Sequence, residues 1–337
     1  MSTPRPSSDL TAAEKKRLEP FVSNLDKPIF VLRNLPQEVA GALFSRYSRS
    51  AKSVRRLLLD EFLESEESGL KGLQAGSVES AVDLDRAQDF YQRILAGYGD
   101  DSIGELGGVH IACEDISNIA AKVIEDARIG ISPLEKSSRY VSFAEQRDGK
   151  YAYLRDPDIM ESKHAAAYEQ ACDKLFETYA GLIDPMIEWV KAKWPQEEGE
   201  DDRAYTAASK AKALDSLRGL LPAATLTNVG LYGNGRAFEF LMIKMQSHEL
   251  AEIRELAAKM KTELDTEIPS MVSRAGADDE KGQANAEFYR KTRTALKEFA
   301  KTTLADTTPD AADRPSVTLL DLDPDGEDKA LAGLLYD

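Results

Sequence analysis

The feature that most constrains the fold of this chain is a series of long segments in which apolar residues recur at helical spacing. Three of them lie in the second half of the sequence, at about 160–194, 202–220 and 235–265. An apolar residue at every third or fourth position forms one apolar stripe along an α-helix, and that stripe packs against other elements. These segments therefore predict three long helices.

Short strands and shorter helices are predicted elsewhere. Val109, Ile111 and Cys113 alternate with other residues as in a half-buried strand, and residues 29–32 and 140–143 are short, mainly apolar segments that also predict strands. Helical spacing recurs in four segments of the first half: Val39, Leu43 and Phe44 after Pro36; Val54, Leu57, Leu58 and Phe62; Ala87, Phe90, Tyr91 and Ile94; and Ile116, Ile119, Ala120 and Val123. The sequence predicts an α+β protein with more helix than strand.

Composition along the chain predicts three parts. Residues 1–27 contain proline, serine and charged residues without periodicity, which is typical of a flexible arm. Residues 28–300 are interpreted as one domain, because helical and strand-like segments follow one another there. Residues 301–337 are interpreted as a linker followed by a strand–helix segment, since a stretch rich in Thr, Asp and Pro precedes a short apolar segment.

The last segment contains an incomplete resemblance to a calcium-binding loop. Asp321, Asp323, Asp325 and Gly326 have the spacing of the first half of such a loop. Ala332 occupies the position at which the bidentate glutamate is expected, so the oxygen ligands are incomplete. An acidic turn is the simpler interpretation, and no metal site is predicted anywhere in the chain.

Charge restricts the classes of partner. The chain has 43 Lys and Arg against 59 Asp and Glu, giving a net charge of −16. Such a surface repels the phosphate backbone, so a nucleic acid polymer is not an expected partner. A small phosphorylated ligand remains compatible, because a few well-placed Arg or Lys residues suffice to bind it.

Membrane and metal chemistry are also disfavoured by the sequence. No run of about 18 apolar residues occurs and the first ten residues are polar, so we expect neither a membrane span nor a signal peptide, and a cytoplasmic location. Cys113 and Cys172 lie 59 positions apart without a CxxC or Cys/His spacing, and the chain has 3 His residues. A disulfide framework or a structural zinc site is therefore not expected.

Residues 135–140, EKSSRY, are the most informative candidate site. A carboxylate, two hydroxyls and a guanidinium occur within six positions. This combination suits a sugar phosphate, with Arg139 as a two-pronged donor, Ser137 as a donor and Glu135 as the acceptor for a ribose hydroxyl. The alternative is a polar turn with an internal Glu–Arg ion pair.

Two further clusters carry cations near helix ends. Arg218 lies at the edge of an apolar stripe just before Pro222, where it either binds a ligand or interacts with the helix dipole. Asn234 and Arg236 flank Gly235 at the start of a predicted helix, where backbone N–H groups favour anions. Lys244 lies on that helix, as a ligand contact or as a lysine whose alkyl chain covers apolar surface.

A fourth cluster is YGDDSIGE at residues 98–105, a glycine-containing turn after a predicted helix. It has neither the spacing of a Walker loop nor that of a dinucleotide-binding GxGxxG motif. The sequence also lacks a GxSxG elbow and an HExxH pair. The sequence therefore contains none of these four motifs.

Taken in order, these clusters resemble the motifs of flavin-dependent thymidylate synthases over residues 28–270. That family has an arginine–serine step, a GHxTPFEH-like turn, a signature that ends in ExSxRY, and then RxxLP, NAR and SHxxxEI. The matching segments here are Arg46-Tyr47-Ser48, Gly99 to Glu105, Glu135 to Tyr140, Arg218 to Pro222, Asn234-Gly235-Arg236, and Lys244 with Ser247-His248 and Glu252-Ile253.

The resemblance implies a twisted antiparallel or mixed sheet flanked by helices, here with long helical additions, and a homotetramer with active sites between subunits. It also implies methylation of dUMP to dTMP with FAD as cofactor and methylenetetrahydrofolate and NADPH as co-substrates. By resemblance, the dUMP-binding residues would be Glu135, Ser137, Arg139, Arg218 and Lys244, with Arg139 and Lys244 facing the uracil as catalytic residues. The FAD-binding residues would be Ser48, Ser102, Glu105, Asn234 and Arg236.

Three departures mark the chain as a divergent member. The signature of the family begins with RHR, whereas this chain has Glu125-Asp126-Ala127-Arg128. Asp100 replaces the histidine of the second motif, and Lys244 replaces an arginine. The carboxylates of Glu125, Asp126 and Asp100 predict weak FAD binding. The alternatives are a catalytically silent nucleotide-binding domain that partners an active subunit, or a flavin enzyme of altered pyrimidine-nucleotide chemistry.

Overall fold

The computed structural model describes residues 10–64, 104–127, 129–276, 280–305 and 321–335. The chain divides into two compact units, Met1–Arg290 and Lys291–Asp337. The α-helices are α1 Ala12–Leu18, α2 Gln37–Tyr47, α3 Val54–Leu57, α4 Asn118–Glu125, α5 Pro157–Met160, α6 Ala165–Lys193, α7 Asp202–Leu217, α8 Gly235–Gln246, α9 Ala251–Glu267, α10 Glu280–Thr303 and α11 Gly326–Leu334. A π-helix, Leu58–Leu63, continues α3, and 3₁₀ segments occur at Arg218–Leu220 and Pro269–Ala275.

One antiparallel sheet carries the polar segments of interest. Its strands are β1 Gly108–Ser117, β2 Ile131–Glu135 and β3 Leu226–Asn234, in the order β1-β3-β2. The central strand β3 pairs Asn234 with Gly108 at one end, and pairs Val229 with Glu135 of β2 toward the other. The sheet with its surrounding helices confirms the predicted α+β class.

The main core lies between the sheet and helices from both halves of the chain. Phe238 and Met242 of α8 are fully buried, as are Leu57 and Phe62 of the α3 segment. Gly233 in β3 is required for this packing, because a Cβ there would lie 2.9 Å from the Phe238 ring. The core therefore fixes α8 against the end of β3.

A second, smaller core joins α6 and α7 into a helical hairpin. Phe176 and Tyr179 of α6 and Leu214 of α7 are fully buried there, together with Tyr153. The Tyr153 hydroxyl donates to the Asp173 carboxylate at 3.1 Å, so the loop before the hairpin is fixed to it. The two long helices predicted at 160–194 and 202–220 are confirmed.

The flexible arm predicted for residues 1–27 is wrong over the part that the structure describes. Thr11 and Glu14 form a reciprocal capping box that begins α1. Leu18, Phe21 and Val22 are buried in the main core. Their burial was not visible in the sequence, because seven helical residues are too few to show a clear apolar stripe. The predicted division into 28–300 and 301–337 stays a prediction.

Two predicted strands are also wrong. In the segment 29–32, Ile29 is 86% exposed, and only an isolated bridge joins Leu32 to Val22. Residues 140–143 are not a strand, because Tyr140 and Val141 donate their N–H groups to the Ser137 carbonyl and close a turn over residues 137–141. The strand in this part of the chain is β2, which ends before residues 140–143 begin. Its Pro133 is tolerated because β2 lies at the edge of the sheet.

The single helix predicted at 235–265 is two helices. Helix α8 ends at Gln246, and α9 begins at Ala251. The break is stabilised locally, since the Ser247 hydroxyl donates to the Lys244 carbonyl at 2.7 Å and the Leu250 N–H donates to His248 Nδ1 at 3.1 Å. Short side chain–backbone bonds of this kind compete with helix continuation.

Several predictions fall outside the described residues. They concern the helix around Ala87–Ile94, the turn with Asp100 and Ser102, Arg128, and the apolar segment at 317–320.

In the described acidic turn, Asp323 accepts the Asp325 N–H and pairs with Lys329 at 2.8 Å. No helix among the described residues has the length and hydropathy needed to cross a membrane.

Candidate functional site

Two cavities lie toward opposite ends of the sheet. The smaller cavity, of about 230 Å³, includes Glu135 at the end of β2 and Thr225 just before β3. The larger groove, of about 940 Å³, includes Gly130 just before β2 and Asn234 at the end of β3. The strand β2 between them has five residues and spans roughly 13 Å. The candidate residues are therefore divided between two places.

Three cations line the smaller cavity. Arg218 follows α7 in the 3₁₀ segment and lies 3.1 Å from Asp215, an ion pair in which both side chains are about half exposed. Lys122 of α4 pairs with the exposed Asp126 one turn further along its helix. The Lys136 ammonium lies 4.6 Å from the centre of the Phe143 ring. An exposed ion pair contributes little free energy, so a stronger anion can displace Asp215 from Arg218.

Two carboxylates share the smaller cavity with these cations. Burial raises the pKa of Glu135, and the charge of Glu125 raises it further. Glu125 is the first residue of the segment that replaces RHR, and the structure places it here beside Glu135. The carboxylate that Glu125 brings to this segment therefore acts on the smaller cavity, whereas the sequence predicted an effect on the flavin half.

The larger groove is partly apolar and has the N-terminus of α8 at its edge. Ile129, Phe240 and Ile243 supply apolar surface. The Asn234 side chain caps α8 by accepting the Ala237 N–H at 2.8 Å. Gly130 has a φ of +78°, and a Cβ there would lie 2.7 Å from the Ala237 Cβ. A residue without a side chain is required at this turn.

Both arginines of the groove are bound by carboxylates. Arg236 donates to Glu105 at 2.7 Å, with both side chains half exposed. Arg274 donates to the buried Glu239 at 2.7 Å through Nη2 and at 3.2 Å through Nε. The positive charge of the groove is therefore balanced within the folded chain.

The two thiols are buried. Burial raises the pKa of Cys113 to about 11 and also raises the pKa of Cys172. Both thiols are protonated at neutral pH, so neither is a ready nucleophile. The arrangement instead offers cations, carboxylates and hydroxyls, which suit non-covalent binding of a polar ligand.

The structure assembles only some of the predicted site residues. Glu135 and Arg218 line the smaller cavity, and Glu105, Asn234 and Arg236 line the larger groove. The other described candidates are outside both linings: Ser137, Arg139, Lys244 and Ser48. Ser102 lies outside the described residues.

Those outlying residues have contacts of their own. Arg139 is exposed and lies 5.7 Å from the Tyr140 ring centre. Lys244 is exposed and lies 4.2 Å from the ring centre of Phe240, one turn before it on the groove side of α8. Ser48 donates its hydroxyl to the Ser45 carbonyl at 2.8 Å. One chain therefore does not bring Arg139 and Lys244 into the lining of the smaller cavity.

Sequence reasoning missed four charged residues of these sites. Lys122 and Lys136 line the smaller cavity, and Glu239 and Arg274 line the larger groove. The spacing of Lys122 from Glu125, three positions on one helix, was a usable signal. Nothing in the sequence pairs Glu239 with Arg274, because they are 35 positions apart on different elements.

The fold and the two cavities define an α+β protein whose antiparallel sheet separates two ligand-sized sites. The family model for thymidylate synthase complementing protein matches residues 46–270. The chain belongs to this family.

Among relatives, the UPF0159 protein of Chlamydia pneumoniae is 46% identical over 328 residues, covering 97% of this chain and 61% of the relative. The UPF0159 protein of Thermoplasma acidophilum is 35% identical over 257 residues, covering 70% of this chain and 48% of the relative. The chain thus spans about half to three fifths of the length of these relatives.

Among solved structures, the UMP/dUMP methylase PolB from Streptomyces cacaoi is 16% identical in sequence. The structure bound with 5-Br dUMP has a TM-score of 0.42, with 71% of this chain and 89% of that chain covered. The structure bound with 5-Br UMP has a TM-score of 0.40, with 71% and 88% covered.

Proposed function

We propose that this chain binds dUMP in the smaller cavity and takes part in its methylation to dTMP, with methylenetetrahydrofolate as the one-carbon donor, FAD as cofactor and NADPH as reductant. Membership of the thymidylate synthase complementing family supports the class of reaction. The observation that carries the proposal is that Arg218 and Glu135, 83 positions apart, line one cavity. They are the phosphate and ribose residues expected from the motifs.

The phosphate of the nucleotide is assigned to the cationic side of the cavity. Arg218, Lys122 and Lys136 bring three positive charges to the lining, and a phosphate dianion would bind them by displacing the exposed partners Asp215 and Asp126. Arg218 offers a planar fork for two phosphate oxygens, and binding would replace its exposed pair with Asp215. Ser138, which also lines the cavity, adds a hydroxyl donor.

The ribose is assigned to Glu135. Its carboxyl lies at the end of β2, in a position fixed by the pairing of Glu135 with Val229. Burial and the charge of Glu125 raise the pKa of Glu135, although a hydrogen bond with Thr227 lowers it, so a further hydroxyl donor would favour the ionised form. A sugar hydroxyl would supply that hydrogen bond.

The uracil is assigned to the mouth of the cavity. A volume of about 230 Å³ is below the roughly 300 Å³ at which pockets for drug-sized ligands begin, so it suits a sugar phosphate better than a whole nucleotide. Arg139 follows the lining residue Ser138 and is exposed. We assign Arg139 to the base, where a cation would stabilise negative charge that develops on an activated uracil oxygen.

FAD is assigned to the larger groove. The groove fits an extended cofactor with an aromatic ring system, since its volume is about 940 Å³ and Ile129, Phe240 and Ile243 offer apolar contacts. Asn234 and Arg236 would hold the polar part at the N-terminus of α8. Bound FAD would supply the reducing equivalents of the reaction. Glu105 competes with the diphosphate for Arg236, so we expect weak binding.

Lys244 is assigned a catalytic role at the uracil, as the family motif implies. It lies on the groove side of α8, beside Phe240, and does not line the smaller cavity of the same chain. We therefore propose that a second copy supplies Lys244 to the cavity, in a homo-oligomer that is a tetramer by resemblance. The lysine would offer a point charge where an arginine would offer two parallel hydrogen bonds.

A second candidate function is a catalytically silent nucleotide-binding domain. Two observations favour it. Arg139 and Lys244 do not line the smaller cavity, and Arg236 is paired with Glu105. Such a domain would bind dUMP through Arg218 and Glu135 and would leave the methyl transfer to an active partner.

Two measurements on the purified chain test the proposal. The first is release of tritium from 5-tritiated dUMP with methylenetetrahydrofolate, NADPH and FAD supplied, which we expect to detect. The second is calorimetry of dUMP binding without the other components. Binding without tritium release would select the silent domain, and absence of dUMP binding would refute both candidates.

A further inference from the structure

Glu252 is a partly buried carboxylate near the start of α9, and it lines neither of the two cavities. It is the glutamate of the last matching motif, in the segment that follows Ser247-His248. Its Oε1 accepts the Ser117 N–H at 2.8 Å, and its Oε2 accepts the Ser117 hydroxyl at 2.6 Å. One carboxylate therefore binds both donors of a residue 135 positions away.

Ser117 is fully buried at the junction between β1 and α4, where it is the N-cap of the helix. Its hydroxyl oxygen accepts the Ala120 N–H at 3.1 Å. Because the hydroxyl hydrogen points to Glu252, a lone pair of the oxygen is left for that N–H. The carboxylate also brings negative charge to the N-terminus of α4, where the helix dipole favours it. Glu252 therefore stabilises the first turn of α4 through its cap.

The same turn of α4 is also bonded to the lining of the smaller cavity. The Asn118 N–H donates to the Thr225 carbonyl at 3.0 Å, and both of these residues line the cavity. The Thr225 hydroxyl donates to the Pro222 carbonyl at 2.7 Å, at the end of the segment that begins with Arg218. The first turn of α4 is thus joined both to Glu252 and to the segment that carries Arg218.

Helix α4 supplies three side chains to the smaller cavity. Asn118, Lys122 and Glu125 all line it, and their spacing of four and three places them on one face of the helix. The helix has eight residues and is about 12 Å long, so a tilt at its first turn displaces Lys122 and Glu125 relative to Arg218. The geometry of the cavity therefore depends on how firmly the first turn of α4 is held.

From these contacts we propose that Glu252 is a positioning residue of the smaller cavity, acting on Lys122 through Ser117 and α4. The inference rests on the proposed function, since it takes the cavity to bind dUMP. Asp126, the exposed partner of Lys122, lies on the same helix, so the placement of α4 sets the position of both charges. A carboxylate suits this role better than an amide, because each of its oxygens accepts one of the two Ser117 donors.

Calorimetry of dUMP binding to the full chain tests the role of the carboxylate. Glu252→Gln keeps one oxygen for the Ser117 N–H but presents an NH₂ group to the hydroxyl, so dUMP affinity should fall about three- to tenfold. Glu255→Gln is the matched control, because Glu255 is an exposed carboxylate on the same helix, and its affinity should equal that of the unmodified chain. Equal dUMP affinities of the two variants would overturn the inference.

A double-mutant cycle with Lys122→Ala separates positioning from a general loss of stability. Without the Lys122 charge, a displaced α4 has less effect on the phosphate, so adding Glu252→Gln should lower dUMP affinity by about twofold or less. A general loss of stability would lower the affinity by the same factor whether or not Lys122 is present. That result would contradict the positioning role.

Hydrogen exchange tests the contact without any ligand. In Glu252→Gln the Ala120 N–H should exchange about three- to tenfold faster, because the cap that accepts it is weakened, while the amides of α7 keep their rates. Unchanged exchange in α4 would overturn the positioning role of Glu252. Absence of dUMP binding by the unmodified chain would instead refute the proposed function, so the two failures are distinguishable.

Discussion

The Arg236 guanidinium donates to the Glu105 carboxylate at 2.7 Å, across 131 positions of sequence. The motif comparison assigned both residues to FAD as separate ligand contacts. In the folded chain each one partly neutralises the other at the edge of the larger groove. An anion that binds Arg236 therefore competes with Glu105 for the guanidinium.

The first prediction concerns that competition. Glu105→Gln removes the competing charge, so we expect FAD to bind about two- to fivefold more tightly, the range that a half-exposed ion pair allows. Spectroscopic titration with FAD measures the affinity of each variant. Glu114→Gln, an exposed carboxylate outside the groove lining, is the control. Weaker binding by Glu105→Gln would mean that Glu105 itself contacts FAD.

The second prediction concerns Arg218. Replacing it with Ala removes the fork assigned to the phosphate, so dUMP affinity should fall roughly 10- to 100-fold. Calorimetry gives the affinity. Arg147→Ala is a matched control, because Arg147 is also an exposed arginine in an ion pair, 2.7 Å from Asp115, and does not line the cavity. Equal dUMP affinities of the two variants would show that Arg218 does not bind the phosphate.

The third prediction concerns Glu125, which replaces a cationic position of the family signature. Its charge repels both the phosphate and Glu135, so Glu125→Gln should tighten dUMP binding by about two- to fivefold at low salt. The gain should shrink as salt is added. Calorimetry at two ionic strengths measures both effects. A loss of affinity would show that Glu125 accepts a hydrogen bond from the nucleotide.

The fourth prediction concerns Lys244. If its charge acts on the activated uracil, Lys244→Ala should lower turnover by about tenfold or more while dUMP affinity changes little. Tritium release from 5-tritiated dUMP gives the turnover. Lys244→Arg should retain at least the original rate, because arginine is the usual residue of the family. Equal turnover of the alanine variant and the unmodified chain would exclude Lys244.

The fifth prediction is a pH dependence of stability. Burial raises the pKa of Glu38, although its carboxylate accepts the Ser270 N–H at 2.9 Å. A carboxyl whose pKa is higher in the folded state binds a proton more readily there, so its contribution to stability is present at low pH and decreases as pH rises past about 4.5.

Glu38→Gln imitates the neutral form, so its free energy of unfolding should fall less between pH 4 and pH 8 than that of the unmodified chain. Chemical denaturation at both pH values measures it. Glu239→Gln is the contrasting variant, because it removes the buried carboxylate that binds Arg274. Its free energy of unfolding should be lower by about 1–3 kcal/mol. An equal pH dependence with and without Glu38 would contradict the assignment.

Local patterns predicted most of the secondary structure. The stripes of α6 and α7 and the alternation in β1 are periodic over many residues, so they identify their elements without further information. Prediction failed where the sequence of a short segment was compatible with two conformations, a strand and a turn. Residues 140–143 are apolar enough for a strand, but Tyr140 and Val141 donate to the Ser137 carbonyl and form the end of a turn.

The sequence by itself determined the class of fold, two of the three predicted long helices and the family, and its motifs predicted that Arg218 and Glu135 belong to one site. These follow from periodicity and from ordered motifs, which are properties of the chain. Only the tertiary structure decided that the candidates divide between two cavities, that Glu125 lies beside Glu135, and that Glu105 binds Arg236. Those relations depend on the antiparallel register of the sheet and on contacts between distant segments, and periodicity carries no information about either.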